Sequence, residues 1–482
     1  MNWGSTITYL AETKLKDRLV TFGIKDSDRL EHVYVVGKVG SGRAQLLTRM
    51  ALQDVTKNYG AIILDATGNL TQLLLERLDE TAREKLIFLD PSDGEHPFSW
   101  NVVDEFRTLQ GGRGVSLLKD ALQSVYRVPT SEVISIVASY MMRTEDSTIL
   151  TLFNVVTDVA RREKAFPSGT PERGLFEEAL KKEVDIVSAI AENGRYLAKD
   201  TLVRNLLGQS TSKFSLEALR SGAVVVIDLS RIRMFPTRIT PLVRLFIHGA
   251  RARAYQGSPL PIFLQDTLRY VDEEEIDQLF TERKIAFTVS DTALHEEDRP
   301  LRKKTLGRCG SLIALSPHQS DVGLVEHMFY PYISPEDLVR LQEGELCAAL
   351  TIDAVRSRPF FARLLPLPQR NNISAQDLLV VSRGKYTTPR VVVDQMFKNL
   401  PKGSDEPGGT PGSFTDAFRS IFTKRAGAPT EAKGTPGSAV SAKTPVAEKP
   451  KEVVKEVSAT KQTSEIAESV LKEMLYVGPI PA

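Results

Sequence analysis

The strongest constraint in this sequence is a short apolar run, Val33-Tyr34-Val35-Val36, that opens directly into Gly37-Lys38-Val39-Gly40-Ser41-Gly42-Arg43-Ala44. From Gln45 to Tyr59 the apolar residues Leu46, Leu47, Met50, Ala51 and Val55 then recur on one helical face. A strand, a glycine loop and a helix in that order make a phosphate cradle. The glycines let the backbone curl so that successive N–H groups face an anion, and the helix N-terminus adds its dipole. A glycine turn with no ligand is the plainer alternative. The spacing is that of a P-loop, but the Lys and Ser/Thr that close that motif are here Arg43 and Ala44. Arg43 keeps the charge on a longer planar fork, which is not a conservative exchange at a phosphate. Ala44 has no hydroxyl to offer Mg2+. Lys38 is a second cation beside the loop, either a phosphate contact or a solvated lysine.

The pattern around this loop predicts an α/β fold. Strands are expected at Ala61-Asp65 and Leu86-Asp90, with a helix at Thr71-Leu78 between them. Continuous apolar strands separated by helices imply a mostly parallel sheet covered on both faces. Between about Asp104 and Leu219 the strands stop, and helical patterns take over at Val115-Tyr126, Glu132-Met142, Ile149-Arg162 and Leu175-Ala191. The alternation resumes with strands at Ala223-Asp228, Ile262-Asp266, Ile285-Ser290 and Ser311-Leu315, and helices at Thr240-Tyr255 and Glu273-Glu282. Late strands at Glu345-Ile352 and Phe360-Leu367 are expected to finish the sheet at its edge. The division is a first core part over residues 1–103, an all-α insertion over 104–219, a second core part over 220–400 and a tail over 401–482.

The tail is rich in Pro, Gly, Ser, Thr, Ala, Lys and Glu, too polar to repay ordering entropy, and is expected to be disordered. Two amphipathic stretches interrupt it, 413–424 with Phe414, Phe418, Ile421 and Phe422, and 463–475 with Ile466, Val470, Leu471 and Met474. They read either as helices that dock on their own core or as tethered peptides for a protein partner.

Composition narrows the function classes. A net charge of +1 means that any nucleic-acid surface must come from local clustering. Two cysteines, Cys309 and Cys347, far apart in apolar runs, fit a reducing cytoplasm. Six scattered histidines, none at ligand spacing, give no expectation of a metal site. No signal pattern and no run of membrane-spanning length is present, so the expectation is a soluble cytoplasmic protein.

With these residues in view, the chain resembles the HerA/FtsK branch of P-loop motor ATPases, and most of all the TraD/TraG-like conjugative coupling proteins of type IV secretion systems. The likeness is carried by the entry segment from Phe22 to His32, by Ala61-Ile62-Ile63-Leu64-Asp65-Ala66-Thr67-Gly68-Asn69-Leu70, and by Leu89-Asp90-Pro91-Ser92-Asp93. Asn205-Leu206-Leu207-Gly208-Gln209 and the run Ala223–Ser230 continue it, and it covers roughly residues 5–370. The resemblance implies a RecA-like ATPase core, ATP as cofactor, DNA as partner, and a homo- or hetero-oligomeric ring, a hexamer in the family. It also implies recruitment to a membrane secretion machine, although the family's N-terminal membrane helices are not seen here.

By the same resemblance, Gly37, Lys38, Val39, Gly40, Ser41, Gly42, Arg43, Ala44 and Asp65 bind the nucleotide. The family's second acidic motif ends a strand with Asp-Glu. Here it reads Gln265-Asp266, so that Asp266 stands for the water-orienting Glu; in the other register it is the metal ligand and Thr267 follows. A polar sensor, commonly glutamine, is replaced by Thr292. Arg283, in a Glu-Arg-Lys run, is either a finger reaching a neighbouring subunit's nucleotide or a cation at a helix end. Candidate DNA-facing loops are Arg231-Ile232-Arg233 with Arg238, and Arg299 with Arg302, Lys303 and Lys304; solvated surface charge is the alternative. Four departures on four chemical roles point to weak or absent hydrolysis, as in a pseudo-ATPase partnered with an intact paralogue. The competing expectation is an active ring-forming ATP-driven DNA translocase.

Overall fold

Apolar runs of four to seven residues predict strands buried on both faces. The computed structural model, which describes residues 6–16, 18–254, 259–292, 299–371 and 375–398, assembles them at the centre of one sheet. An N-terminal hairpin of β1 (Ile7–Leu15) and β2 (Arg18–Lys25) comes first. After it come β3 (Val33–Gly37), α1 (Arg43–Thr56), β4 (Ala61–Asp65), α2 (Asn69–Leu75), α3 (Glu80–Glu84) and β5 (Leu86–Leu89). A strandless stretch then holds α4 (Val102–Arg107), α5 (Arg113–Tyr126), α6 (Glu132–Arg143), α7 (Thr151–Thr157), α8 (Val159–Ala165), α9 (Pro171–Lys182), α10 (Val184–Lys199) and α11 (Thr201–Leu207). Alternation resumes with β6 (Val224–Asp228), α12 (Pro236–Ala254), β7 (Leu260–Gln265), α13 (Glu273–Leu279), β8 (Ile285–Asp291), α14 (Arg299–Arg308) and β9 (Ser311–Leu315). The described chain closes with α15 (Val322–Phe329), α16 (Pro335–Arg340), β10 (Glu345–Ala349), β11 (Thr351–Ile352), β12 (Val355–Arg356), β13 (Phe360–Leu364), α17 (Ala375–Tyr386) and α18 (Arg390–Lys398). Residues 399–482, with both tail stretches, 413–424 and 463–475, lie outside the described residues.

Eleven strands make one sheet in the order β2-β1-β13-β10-β9-β3-β8-β7-β4-β6-β5. From β9 to β5 every pairing is parallel, and from β10 outward to β2 every pairing is antiparallel. The late strands are therefore internal to the sheet, and the N-terminal hairpin, whose alternating polar residues carry a weaker signal, supplies the edge.

The expected strand Glu345-Ile352 is cut at Leu350. There the chain turns out of the sheet, with the Leu350 N–H donating to Ser357 Oγ (3.0 Å) and the Thr351 N–H to Ser311 Oγ (2.9 Å). Two expected long helices are each split. Asp158 adopts an extended conformation and caps α8 through the N–H groups of Ala160 and Arg161. Glu183 breaks the second, and its carboxylate accepts from Ser131 and from the backbone N–H groups of Glu132 and Val133 at the start of α6.

A buried polar clamp sets the position of α1 and so of the loop that precedes it. Arg29, 1% exposed, donates to both oxygens of Asp54 on α1, at 2.6 and 2.8 Å. Lys57 donates to Asp26 (2.8 Å), which also accepts from Thr8 on β1 (2.6 Å). At the far edge Ser382 of α17 hydrogen-bonds both the N–H and the C=O of Phe88, covering part of β5 that would otherwise pair with another chain.

Candidate nucleotide-binding site

The parallel register brings four strand ends together. Val36 lies opposite Asp291, Gln265 opposite Ser290, and Asp65 opposite Gln265. The glycine loop, the Gln265-Asp266 pair and Thr292 thus meet at the carboxyl ends of adjacent strands, where open parallel sheets hold ligands. The strand β8 stands between the loop strand β3 and β7.

The loop keeps the cradle backbone. Gly40 and Gly42 have φ of +81° and +105°, conformations that favour glycine, and a side chain on Gly42 would also meet Leu364. Gly42 is the N-cap of α1, whose first intrahelical bond runs from the Leu46 N–H to the Gly42 carbonyl at 2.9 Å. The N–H groups of Arg43, Ala44 and Gln45 therefore have no intrahelical acceptor and suit an anion. Lys38 and Val39 are exposed at the rim, and Lys38 pairs with no carboxylate among the described residues.

Arg43 does not lie along this loop. Its side chain is buried and turned to the strand ends, where Nη1 donates to Ser290 Oγ (2.9 Å) and Nη2 donates to Thr292 Oγ1 and to Asp266 (3.2 Å). A cation on the first residue of a helix faces the positive end of the dipole, so the Asp266 carboxylate supplies the compensation that the helix does not. Asp266 itself, at φ +52°, is fully engaged. The Thr292 N–H donates to it at 2.6 Å, the Thr292 hydroxyl lies 2.8 Å from both its oxygens, and the Gln265 amide donates at 3.3 Å. Gln265, Asp266, Thr292 and Arg43, all substituted relative to the family pattern, form one hydrogen-bonded knot together with Ser290. No motif in the sequence marked Ser290; only the register places it there.

The Mg2+ that the resemblance implies does not fit this residue set. Ala44 has no oxygen, Gln265 offers a neutral amide, and both oxygens of Asp266 already accept hydrogen bonds. The cradle does fit a phosphate. The Ser41 hydroxyl is 1% exposed inside the loop with no hydrogen-bond partner, and Arg43 Nε, Gln265 Oε1 and Thr267 Oγ1 are likewise buried without one. Buried unsatisfied polar atoms such as the Ser41 hydroxyl within the loop are the kind of group that a bound ligand or water pairs.

Asp65 stands apart. Its carboxylate is buried and bonds its own turn, accepting from Thr67 N–H (2.8 Å), the Thr67 hydroxyl (2.7 Å) and Thr71 N–H (2.8 Å). Asp90 and Asp228 do the same at the ends of β5 and β6, each accepting from the N–H two residues on. These bonds turn the Asp65 carboxylate into its own loop. Arg283 is exposed in the turn before β8, at the opposite end of the seven-residue strand that finishes at Asp291. That is about 20 Å from this site at strand rise, beyond the reach of its side chain.

The basic candidates are mostly paired. Arg302, 6% exposed, lies 3.7 Å from the buried Asp291, which also accepts from Tyr34 at 2.7 Å. Burial raises the Asp291 carboxyl above its usual range, against the pull of Arg302. Lys304 pairs with Asp277 (2.8 Å), Arg238 with Asp200 (2.7 Å) and Arg231 with Asp90 (3.4 Å), while Arg233 and Lys303 are exposed. The Arg299 side chain lies outside the described set. Among the described residues no helix is long and apolar enough to cross a membrane.

Residues 20–216 match the family model for the type IV secretion-system coupling protein DNA-binding domain. Among curated proteins none matches. Of solved structures, the plasmid coupling protein TrwB in complex with the non-hydrolysable GTP analogue GDPNP aligns at 14% identity with a TM-score of 0.51, over 77% of this chain and 98% of that one. Its complex with the ATP analogue ADPNP gives 14% and 0.50 over 77% and 98%. The unbound monoclinic form of the bacterial conjugative coupling protein TrwBdeltaN70 gives 14% and 0.51 over 76% and 92%. At such identity the likeness is one of fold: a RecA-like P-loop ATPase core with a mostly parallel sheet. Family model and fold together bear out the resemblance to coupling-protein P-loop ATPases that the motifs carry.

Proposed function

We propose that this chain, with the fold and family likeness of the type IV secretion coupling proteins, is a nucleotide-holding component of a DNA-transfer machine that hydrolyses ATP weakly or not at all. The observation that carries the reading is the engagement of Arg43 by Asp266, Ser290 and Thr292. The cation of the phosphate loop is neutralised from within, and the carboxylate that would orient water is spent on it. Gly37, Lys38, Val39, Gly40, Ser41, Gly42, Arg43 and Ala44 form the cradle. Asp266 acts as an internal counter-ion in place of a catalytic group.

The solved coupling proteins bind purine-nucleotide analogues, which supports ATP or a related nucleotide here. The matched DNA-binding family supports DNA as partner. Assembly is a ring, with the exposed Arg283 directed at a neighbour and an intact paralogue supplying hydrolysis. Residues 1–103 and 220–400 divide into core parts around a helical insertion at 104–219. The tail stretches 413–424 and 463–475 recruit a protein partner at the secretion machine.

Equilibrium binding of labelled adenine nucleotide to the full chain tests the cradle. Saturable binding that weakens on Lys38→Ala is the expected result. Absence of binding up to about 1 mM nucleotide contradicts it.

A further inference from the structure

We infer that the loop takes a nucleoside diphosphate without a metal ion, in preference to a magnesium-bound triphosphate. The inference rests on the phosphate-cradle reading and concerns which charges the cradle can neutralise. A terminal γ-phosphate needs cations beyond the loop, normally a lysine and Mg2+. Here the nearest cation is committed elsewhere: both terminal nitrogens of Arg43 donate to Ser290, Thr292 and Asp266. The metal's hydroxyl ligand is missing at Ala44 and its carboxylate ligand at Gln265, whose neutral amide turns its nitrogen toward Asp266 at 3.3 Å.

A set of free donors lies on the loop side. It comprises Lys38 at the rim, the unpaired N–H groups of the first turn of α1, and the buried Ser41 hydroxyl without a partner. That hydroxyl lies 2.5 Å from where a side chain on Gly37 would begin, so it sits within the curl of the loop. These groups can hold one phosphate at the loop. A further phosphate pushed past it, toward the ends of β7 and β8, meets the Arg43–Asp266 ion pair, which has no net positive charge to offer it, in place of a free lysine and a metal.

The experiment is a titration of the full chain with ADP and with ATP, each in Mg2+ and in EDTA. The expected result is ADP affinity that EDTA leaves within about twofold, and ATP at least about tenfold weaker than ADP. Asp266→Asn removes the facing charge and closes most of that gap; its melting temperature is recorded beside the titration. The comparison in the unmodified protein stands whether or not the variant folds. Tighter binding of Mg2+–ATP than of ADP, or loss of ADP binding in EDTA, overturns the inference while leaving the cradle intact. Failure of both nucleotides to bind overturns the cradle reading and the inference with it.

Discussion

At the scale of single residues, what matters is that the substituted positions touch. Read along the sequence, Arg43, Gln265 and Thr292 are three separate departures from a motif. In the fold they share one hydrogen-bonded cluster centred on Asp266. Their energies are therefore coupled, and reverting one does not restore the site. Arg43→Lys returns the usual cation but leaves Ala44 and Gln265 unable to hold a metal. It also replaces a planar fork by a point donor, so one or two of the bonds to Ser290, Thr292 and Asp266 are lost. The variant is expected to gain no ATP turnover and to lose about 1–2 kcal/mol of stability, read from denaturant midpoints. Asp65 teaches the complementary lesson. A strand-end Asp reads as a ligand by family likeness, yet a Thr two residues on marks the local turn that absorbs it, and the same spacing recurs at Asp90-Ser92 and Asp228-Ser230.

At the scale of elements, α12 ties the helical stretch to the second half of the core through buried charges. Arg244, 2% exposed, lies 2.6 Å from Asp272, and Arg251 bridges Asp120 of α5 (3.2 Å) and Glu282 (3.0 Å). Glu275 on α13 belongs to this group. Burial opposes its charge, but His248, Arg244, the Asp272 N–H and Ser124 together hold its carboxyl at about 2. Because the folded value lies below the unfolded one, the stabilisation is fully present above about pH 4.5 and is lost as pH falls through about 2. Denaturant midpoints across that window should fall steeply for the natural protein. Glu275→Gln should start lower at neutral pH and fall less; a parallel fall would contradict this assignment.

The elements legible in the sequence were the uninterrupted buried strands β3, β4, β6 and β9, each matching its expected range to within one residue. The hairpin β1–β2 and helices α17 and α18 were not. The hairpin alternates polar and apolar residues at a sheet edge, and α17 and α18 leave Val380, Val381, Val391 and Val392 exposed, which blurs their apolar periodicity.

At the scale of the whole molecule, the fold and its phosphate loop were readable because backbone geometry writes itself into glycines and apolar runs. The state of the site was only half readable. Sequence gives the loss of the lysine, hydroxyl and metal carboxylate. It does not say that the arginine is turned away from the loop and satisfied elsewhere, since that depends on the register of β7 and β8. The central claim is that the cradle survives without its catalyst. Steady-state ATP hydrolysis by the purified full chain, with Mg2+ and with DNA, tests it most directly. The expected result is no turnover above background, unchanged by DNA and by Asp266→Ala. Turnover near one per second that is abolished by Asp266→Ala would contradict it.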